Sequence, residues 1–97
     1  MIENPFPELD MVIHSPARLQ IVSALVLLEE ADFVYLLNVT KLTRGNLSTH
    51  LSKLEEAGYV AVEKTYKKNR PLTILRLTVQ GREAYKLYRK TLLDFLK

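Results

Sequence analysis

The chain has 97 residues, enough for one domain with a modest core and little spare surface for a second activity. Its 47% hydrophobic content argues against disorder, and no apolar run nears the ~20 residues that cross a bilayer; the absence of cysteine excludes a disulfide framework and thiolate metal sites. The net charge of +3 is split unevenly: residues 1–40 set Arg18 against Glu3, Glu8, Asp10, Glu29, Glu30 and Asp32, for −5, whereas residues 41–97 hold 13 basic and five acidic residues, for +8. A cationic surplus confined to one part of a chain is the footprint expected of a polyanion partner. The N-terminus also lacks a basic-then-apolar signal pattern, so a cytoplasmic location is expected.

Residues 1–9 contain Pro5 and Pro7, which no regular helix runs through. An extended arm leading to a short helical turn near Leu9–Ile13 is expected, so residues 1–14 form an arm and short helix. Ser15-Pro16 is a helix start, a hydroxyl cap followed by proline at the first helical position. The helix from Pro16 to about Leu28 carries Leu19, Val22, Leu25 and Val26 on one side, widened by Ile21 and Leu28, as a central core helix does. Asp32 then caps a short apolar segment, Phe33–Thr40, and Lys41-Leu42 is a turn of helix-turn-helix length.

Residues 43–60 are the most informative stretch. Thr43 is a good N-cap, Leu47, Leu51 and Leu54 recur at helical spacing as a buried stripe, and Gly58 sits where a left-handed residue would end the helix. Arg44, Gly45, Asn46, Ser48, Thr49, Ser52 and Lys53 are left facing outward. That short, hydrogen-bonding face with cationic edges suits base edges and phosphates, as in a recognition helix. Val60–Tyr66 and Leu72–Leu77 then alternate with period two around Lys67-Lys68-Asn69-Arg70-Pro71, which predicts a two-stranded hairpin, or wing. Thr78 caps a closing helix from Val79 nearly to the C-terminus. Tyr85, Tyr88, Leu92 and Phe95 form one stripe on it, and Ala84, Leu87, Leu93 and Leu96 add apolar surface. A helix apolar over so much of its circumference is usually covered on more than one side. Residues 79–97 are therefore expected to close the domain and to dimerise, with Phe6, Tyr85, Tyr88, Leu92, Phe95 and Leu96 at the interface and the apolar arm (Ile2, Pro5, Phe6) beside them.

Gly-Asn-Leu-Ser-Thr-His-Leu at 45–51, Leu-Glu-Glu-Ala-Gly-Tyr-Val at 54–60, a basic wing and Leu-Thr-Val-Gln-Gly-Arg at 77–82 occur in one register. This combination resembles the small prokaryotic winged helix-turn-helix transcriptional regulators related to the MarR and ArsR groups, over about residues 10–96. The resemblance implies an α+β, mostly α fold: a winged helix-turn-helix with a two-stranded wing and a C-terminal dimerisation helix, in a single domain spanning 1–97. It implies a sequence-specific regulator that binds double-stranded DNA as a homodimer, with the recognition helix in the major groove and the wing on the minor groove or backbone. No cofactor is expected. A ligand-responsive relative would hold a pocket near Tyr35, Tyr85 and Tyr88, yet an aromatic stripe at helical spacing is more often core, and no residue pattern supports a small-molecule effector.

Within this frame Arg44 can reach a phosphate or the O6/N7 edge of guanine, Asn46 can bond adenine or the sugar-phosphate chain, and Thr49 offers a methyl to thymine and a hydroxyl to acceptors. Lys53 suits a phosphate. Gly45 permits close approach of helix backbone to DNA, or is only a relaxed first-turn position. Thr43, besides capping, counts with Arg44, Gly45, Asn46, Ser48, Thr49 and Lys53 among the recognition-helix residues expected at DNA, and Ser48 and His50 divide between core edge and DNA backbone. Lys64, Lys67, Lys68, Asn69 and Arg70 supply the wing, with Arg70 as a minor-groove probe or a solvated turn charge. Tyr66 stacks or bonds a phosphate, or covers hairpin surface. Two isolated histidines, no cysteine and no phosphate-cradling loop argue against an enzyme or a metal site. The rival readings are a winged-helix protein-interaction adaptor, an architectural, weakly specific DNA binder and, less favoured, a double-stranded RNA binder, whose A-form major groove side chains cannot read.

Overall fold

A computed structural model describes residues 7–97. Its elements are α1 (Pro16–Leu28), β1 (Glu30–Asp32), α2 (Phe33–Thr40), α3 (Arg44–Glu56), β2 (Val60–Lys67), β3 (Arg70–Leu77) and α4 (Val79–Phe95). Every helix starts at the cap read from sequence. Asp32 Oδ1 accepts the Tyr35 amide at 2.7 Å, Thr43 Oγ1 that of Asn46 at 3.1 Å and Thr78 Oγ1 that of Gly81 at 2.9 Å, while Ser15 holds Arg18 N at 3.4 Å. Such caps satisfy amides that the helix cannot. Lys41, at φ 56°, takes the left-handed conformation that ends α2 and turns the chain into α3. Gly58, at φ 82°, does the same after α3.

Two departures from the expected pattern lie in the sheet. It has three antiparallel strands in the order β1-β3-β2, and the added strand is the three-residue β1, paired from Glu30↔Arg76 to Asp32↔Ile74. Arg76 fastens it from the side, bridging Glu30 at 2.9 Å and Glu63 of β2 at 2.5 Å. Those carboxylates hold its guanidinium proton more tightly than usual, the Glu63 hydrogen bond most of all. Second, the wing turn is only Lys68-Asn69, with φ of 53° and 63°, and Lys67 pairs with Arg70 across it. Paired positive φ values define the tight primed turn whose twist suits a hairpin. Arg70 and Pro71, expected in the turn, therefore belong to β3. Proline is tolerated there because the pair beside a two-residue turn exchanges both hydrogen bonds and the next pair none, so the nitrogen of Pro71 faces the outer edge.

The core gathers Ile21, Val22 and Leu25 of α1, Leu36 of α2, Leu47, Leu51 and Leu54 of α3, Val60 of β2 and Leu75 of β3. Leu28 lies outside it, 45% exposed, so the apolar face of α1 is narrower than its sequence suggests. A packed node joins the end of the recognition helix to α4. Thr78 N donates to the Tyr59 carbonyl at 3.0 Å, and Thr78 Oγ1 donates to the Gly58 carbonyl at 2.6 Å. A Cβ on Gly81 would sit 2.2 Å from the Tyr59 oxygen, so only glycine lets α4 approach this closely. Asp10 pins the N-terminal turn to the same corner. Its Oδ1 accepts the Val12 amide at 2.9 Å, and its Oδ2 accepts from the Tyr59 hydroxyl at 2.5 Å. That hydrogen bond is the main reason the Tyr59 phenol is pushed up to about 12, with burial second.

Among the described residues no helix is long and apolar enough to cross a membrane.

Candidate nucleic-acid interface

The leucine stripe fixes how α3 sits. With Leu47, Leu51 and Leu54 buried, the residues between them must point away. Thr43, Arg44, Gly45, Asn46, Ser48, Thr49, Ser52 and Lys53 are all exposed. They divide into two groups by the i, i+4 rule. Gly45, Thr49 and Lys53 run along the outward ridge with Asn46 beside it, while Arg44, Ser48, Ser52 and Glu55 lean toward the wing, where they line a cleft with Phe33, Leu51, Val62, Lys64, Thr73 and Leu75.

The local bonds refine several roles. Thr49 Oγ1 donates to the Gly45 carbonyl at 3.0 Å, so its methyl and a lone pair are what it presents outward. The Asn46 side chain makes no hydrogen bond among the described residues, which leaves its donor and acceptor uncommitted there. Nothing lies within 4 Å of a Cβ built on Gly45, so no internal packing demands glycine there. The Arg44 guanidinium stands 5.8 Å over the Phe33 ring, a cation–π contact between α3 and the start of α2.

His50 takes a role missed in the sequence reading. Its Nδ1 lies 3.0 Å from Arg18 Nη1, and because arginine only donates, the histidine accepts. Arg18 Nε also donates to the Val12 carbonyl at 2.5 Å, tying α1, the N-terminal turn and the recognition helix together. Burial, then the charges of Arg18 and Lys53, push the His50 imidazole below its ordinary pKa and favour this neutral acceptor. A contact between residues 32 apart carries no local sequence signal.

On the wing, Lys64, Lys67, Lys68, Asn69 and Arg70 are exposed, as is Tyr66. None of these four cations is ion-paired among the described residues, whereas Arg76 is bound to two carboxylates.

The face expected to dimerise is divided. Tyr88 is a correction: it is only 3% exposed within the single chain, and its hydroxyl lies 2.8 Å from His14 Nδ1, so it is core and not available to a partner. Burial raises its phenol pKa. Tyr85 and Leu92 are half-buried, Phe95 is at the edge of exposure, and Leu96 is 70% exposed. Phe6, Ile2 and Pro5 lie outside the described residues. Tyr35, Tyr85 and Tyr88 line three different clefts and build no common pocket.

Helix, left-handed turn, recognition helix with an exposed polar face, and a cationic hairpin define a winged-helix DNA-binding domain. Residues 17–96 match the winged helix DNA-binding domain family, and the chain belongs to it. An uncharacterized protein of Methanocaldococcus jannaschii is 41% identical over 86 residues, which are 89% of this chain and 94% of that one. The solved transcriptional regulator homologue from Pyrococcus horikoshii superposes with a TM-score of 0.84 at 31% identity, over 90% of this chain and 86% of that one. NadR, solved in complex with 4-hydroxyphenylacetate, gives 0.71 at 26% identity, over 84% of this chain but 57% of its own. The family and the Pyrococcus regulator homologue make the chain a DNA-binding protein of the transcriptional-regulator type and not an enzyme.

Proposed function

We propose that residues 1–97 act as a single DNA-binding unit, a sequence-specific transcriptional regulator that works as a cytoplasmic homodimer. The observation that carries the DNA reading is the exposed ridge of α3 set beside unpaired wing cations. The ridge enters the major groove, where Asn46 and the Thr49 methyl discriminate bases. Lys67, Lys68 and Arg70 at the wing tip neutralise backbone or enter the minor groove, adding salt-sensitive affinity with little selectivity. The dimer reading rests on the end of α4, where Leu93 and Leu96 are exposed and Leu92 half-covered, an apolar tip that its own core does not hide. Two copies related by a two-fold axis would address half-sites about one helical turn apart, roughly 34–36 Å.

Anisotropy with the DNA upstream of its own gene and with random duplex, across a salt series, tests this. Tight binding that still favours the upstream fragment near about 0.15 M salt supports a specific regulator. Binding without preference leaves an architectural protein. No binding at low salt defeats the DNA reading in favour of an adaptor. Sedimentation showing a monomer at micromolar concentration removes the dimer. NadR binds 4-hydroxyphenylacetate in its crystal. An effector for this chain would need a site other than a shared pocket of Tyr35, Tyr85 and Tyr88.

A further inference from the structure

The cleft between the recognition helix and the wing, of about 410 Å³, is built in rows of changing chemistry. The hairpin register places Val62 opposite Leu75 and, two residues outward, Lys64 opposite Thr73. Side chains alternate along a strand, so both pairs share the hairpin face turned to α3. Val62 and Leu75, with Leu51 of α3, form an apolar floor. Above it stand the Lys64 ammonium and Thr73 hydroxyl from the wing, facing Arg44, Ser48 and Ser52 from α3. Glu55 lines the cleft as well, and a carboxylate there repels anions. It lies 11 residues from Arg44, about 16 Å along the helix axis, so the cleft is cationic at the Arg44 end and acidic at the other.

Arg44 is also oriented. Its guanidinium stands 5.8 Å over the Phe33 ring, and Phe33 itself lines the cleft. A guanidinium stacked on an aromatic face loses rotamer freedom before any ligand arrives, and its planar fork matches the two oxygens of a phosphate. Arg44 thus leans toward the wing and away from the outward ridge that Gly45, Thr49 and Lys53 occupy.

We infer that the Arg44 end of this cleft seats one phosphate of the DNA backbone, clamped by Arg44 from the recognition helix and Lys64 from the wing. Ser48 and Thr73 offer hydroxyls beside them, and Phe33 is a positioning residue for Arg44. Arg44 is then a phosphate contact and not a guanine reader. The seat fixes how deep α3 enters the groove and the angle at which the wing leaves it. The inference rests on the DNA reading above.

The test uses the tightest duplex that the wild-type chain recovers from a randomised pool, re-synthesised with a neutral methylphosphonate at each backbone position in turn. Wild type should lose affinity at one or two adjacent positions in each bound half-site that Arg44→Gln and Lys64→Gln both ignore. Each variant should lower the slope of log affinity against log salt by about 1 for each protomer bound and leave the order of base preference intact. Phe33→Leu, which keeps apolar bulk, should weaken sensitivity at the same phosphate without altering sensitivity elsewhere. The seat is overturned if Arg44→Gln and Lys64→Gln map to separate phosphates, or if Arg44→Gln relaxes a base preference while phosphate sensitivity persists. Failure of the wild-type chain to bind any duplex at low salt overturns the DNA reading and the seat together, an outcome distinct from these.

Discussion

Gly45 and Gly81 each lie in the first turn of a threonine-capped helix, yet their surroundings are opposite. A Cβ at Gly81 would lie 2.2 Å from the Tyr59 carbonyl oxygen, whereas one at Gly45 would meet nothing within 4 Å. Gly81 is required by the fold, because α4 meets the turn that follows the recognition helix at backbone distance. Gly45 is required by nothing inside the chain, and the ridge it opens is the one proposed to meet DNA. The same residue type in the same local setting therefore reports two kinds of constraint, one internal and one facing outward. The contrast extends around each site. The Gly81 corner is bonded throughout, by Thr78, Tyr59 and Asp10, while the Gly45 ridge keeps the side-chain amide of Asn46 and the Lys53 ammonium uncommitted among the described residues.

The largest expected effect breaks the internal side. Gly81→Ala must push α4 off the Tyr59 turn, and overpacking against backbone costs about 3 kcal/mol, roughly 12–24 °C in melting temperature for a chain of this size. Thermal denaturation by circular dichroism measures it; a melt within a few degrees of wild type would show that the node yields easily. Next comes the outward side. Replacing Lys67, Lys68 and Arg70 with Ala should leave the melt unchanged, weaken binding to all sequences and lower the salt slope by about 3 for each protomer bound, roughly 0.9 per phosphate. Asn46→Ala should instead reduce discrimination between sites, and equal behaviour of the two sets in anisotropy would erase the division between ridge and wing.

Gly45→Ala sharpens the comparison directly. It should stabilise the chain by up to about 1 kcal/mol, since alanine favours helix and meets no neighbour. It should weaken DNA binding if backbone approach matters; unchanged affinity with higher stability would make Gly45 a relaxed first-turn residue only. The smallest effect is in pH. His50 titrates below its ordinary 6.5 in the folded chain, so as pH falls through that value the unfolded chain takes up the proton first and stability declines. Tyr59 keeps its proton up to about 12 against an ordinary 10, so stability is also lost as pH rises beyond 10. Urea titrations across pH should show both flanks, and His50→Gln should flatten the acid one.

The helix boundaries were legible because they rest on local chemistry. Ser15, Asp32, Thr43 and Thr78 cap amides within three residues of themselves, and the Leu47–Leu51–Leu54 stripe needs only the period of a helix. Burial of that stripe then dictated which α3 residues face out. What escaped the sequence depends on partners far along the chain. Strand β1 is three residues long, too short for periodicity, and exists because Arg76 and β3 lie beside it. Nor does any local pattern announce that Arg18 holds His50, that His14 meets the Tyr88 hydroxyl, or that Phe33 stacks under Arg44. The tight wing turn likewise owes its length to strand pairing, which carried Arg70 and Pro71 into β3. The sequence by itself determined the order of the four helices and the hairpin, the starts of the helices and the polar face of α3, since propensity, capping and periodicity act over a few residues. Only the tertiary structure decided which cations stay free and which side chains meet across elements, because ion pairing and burial depend on distances that folding alone creates.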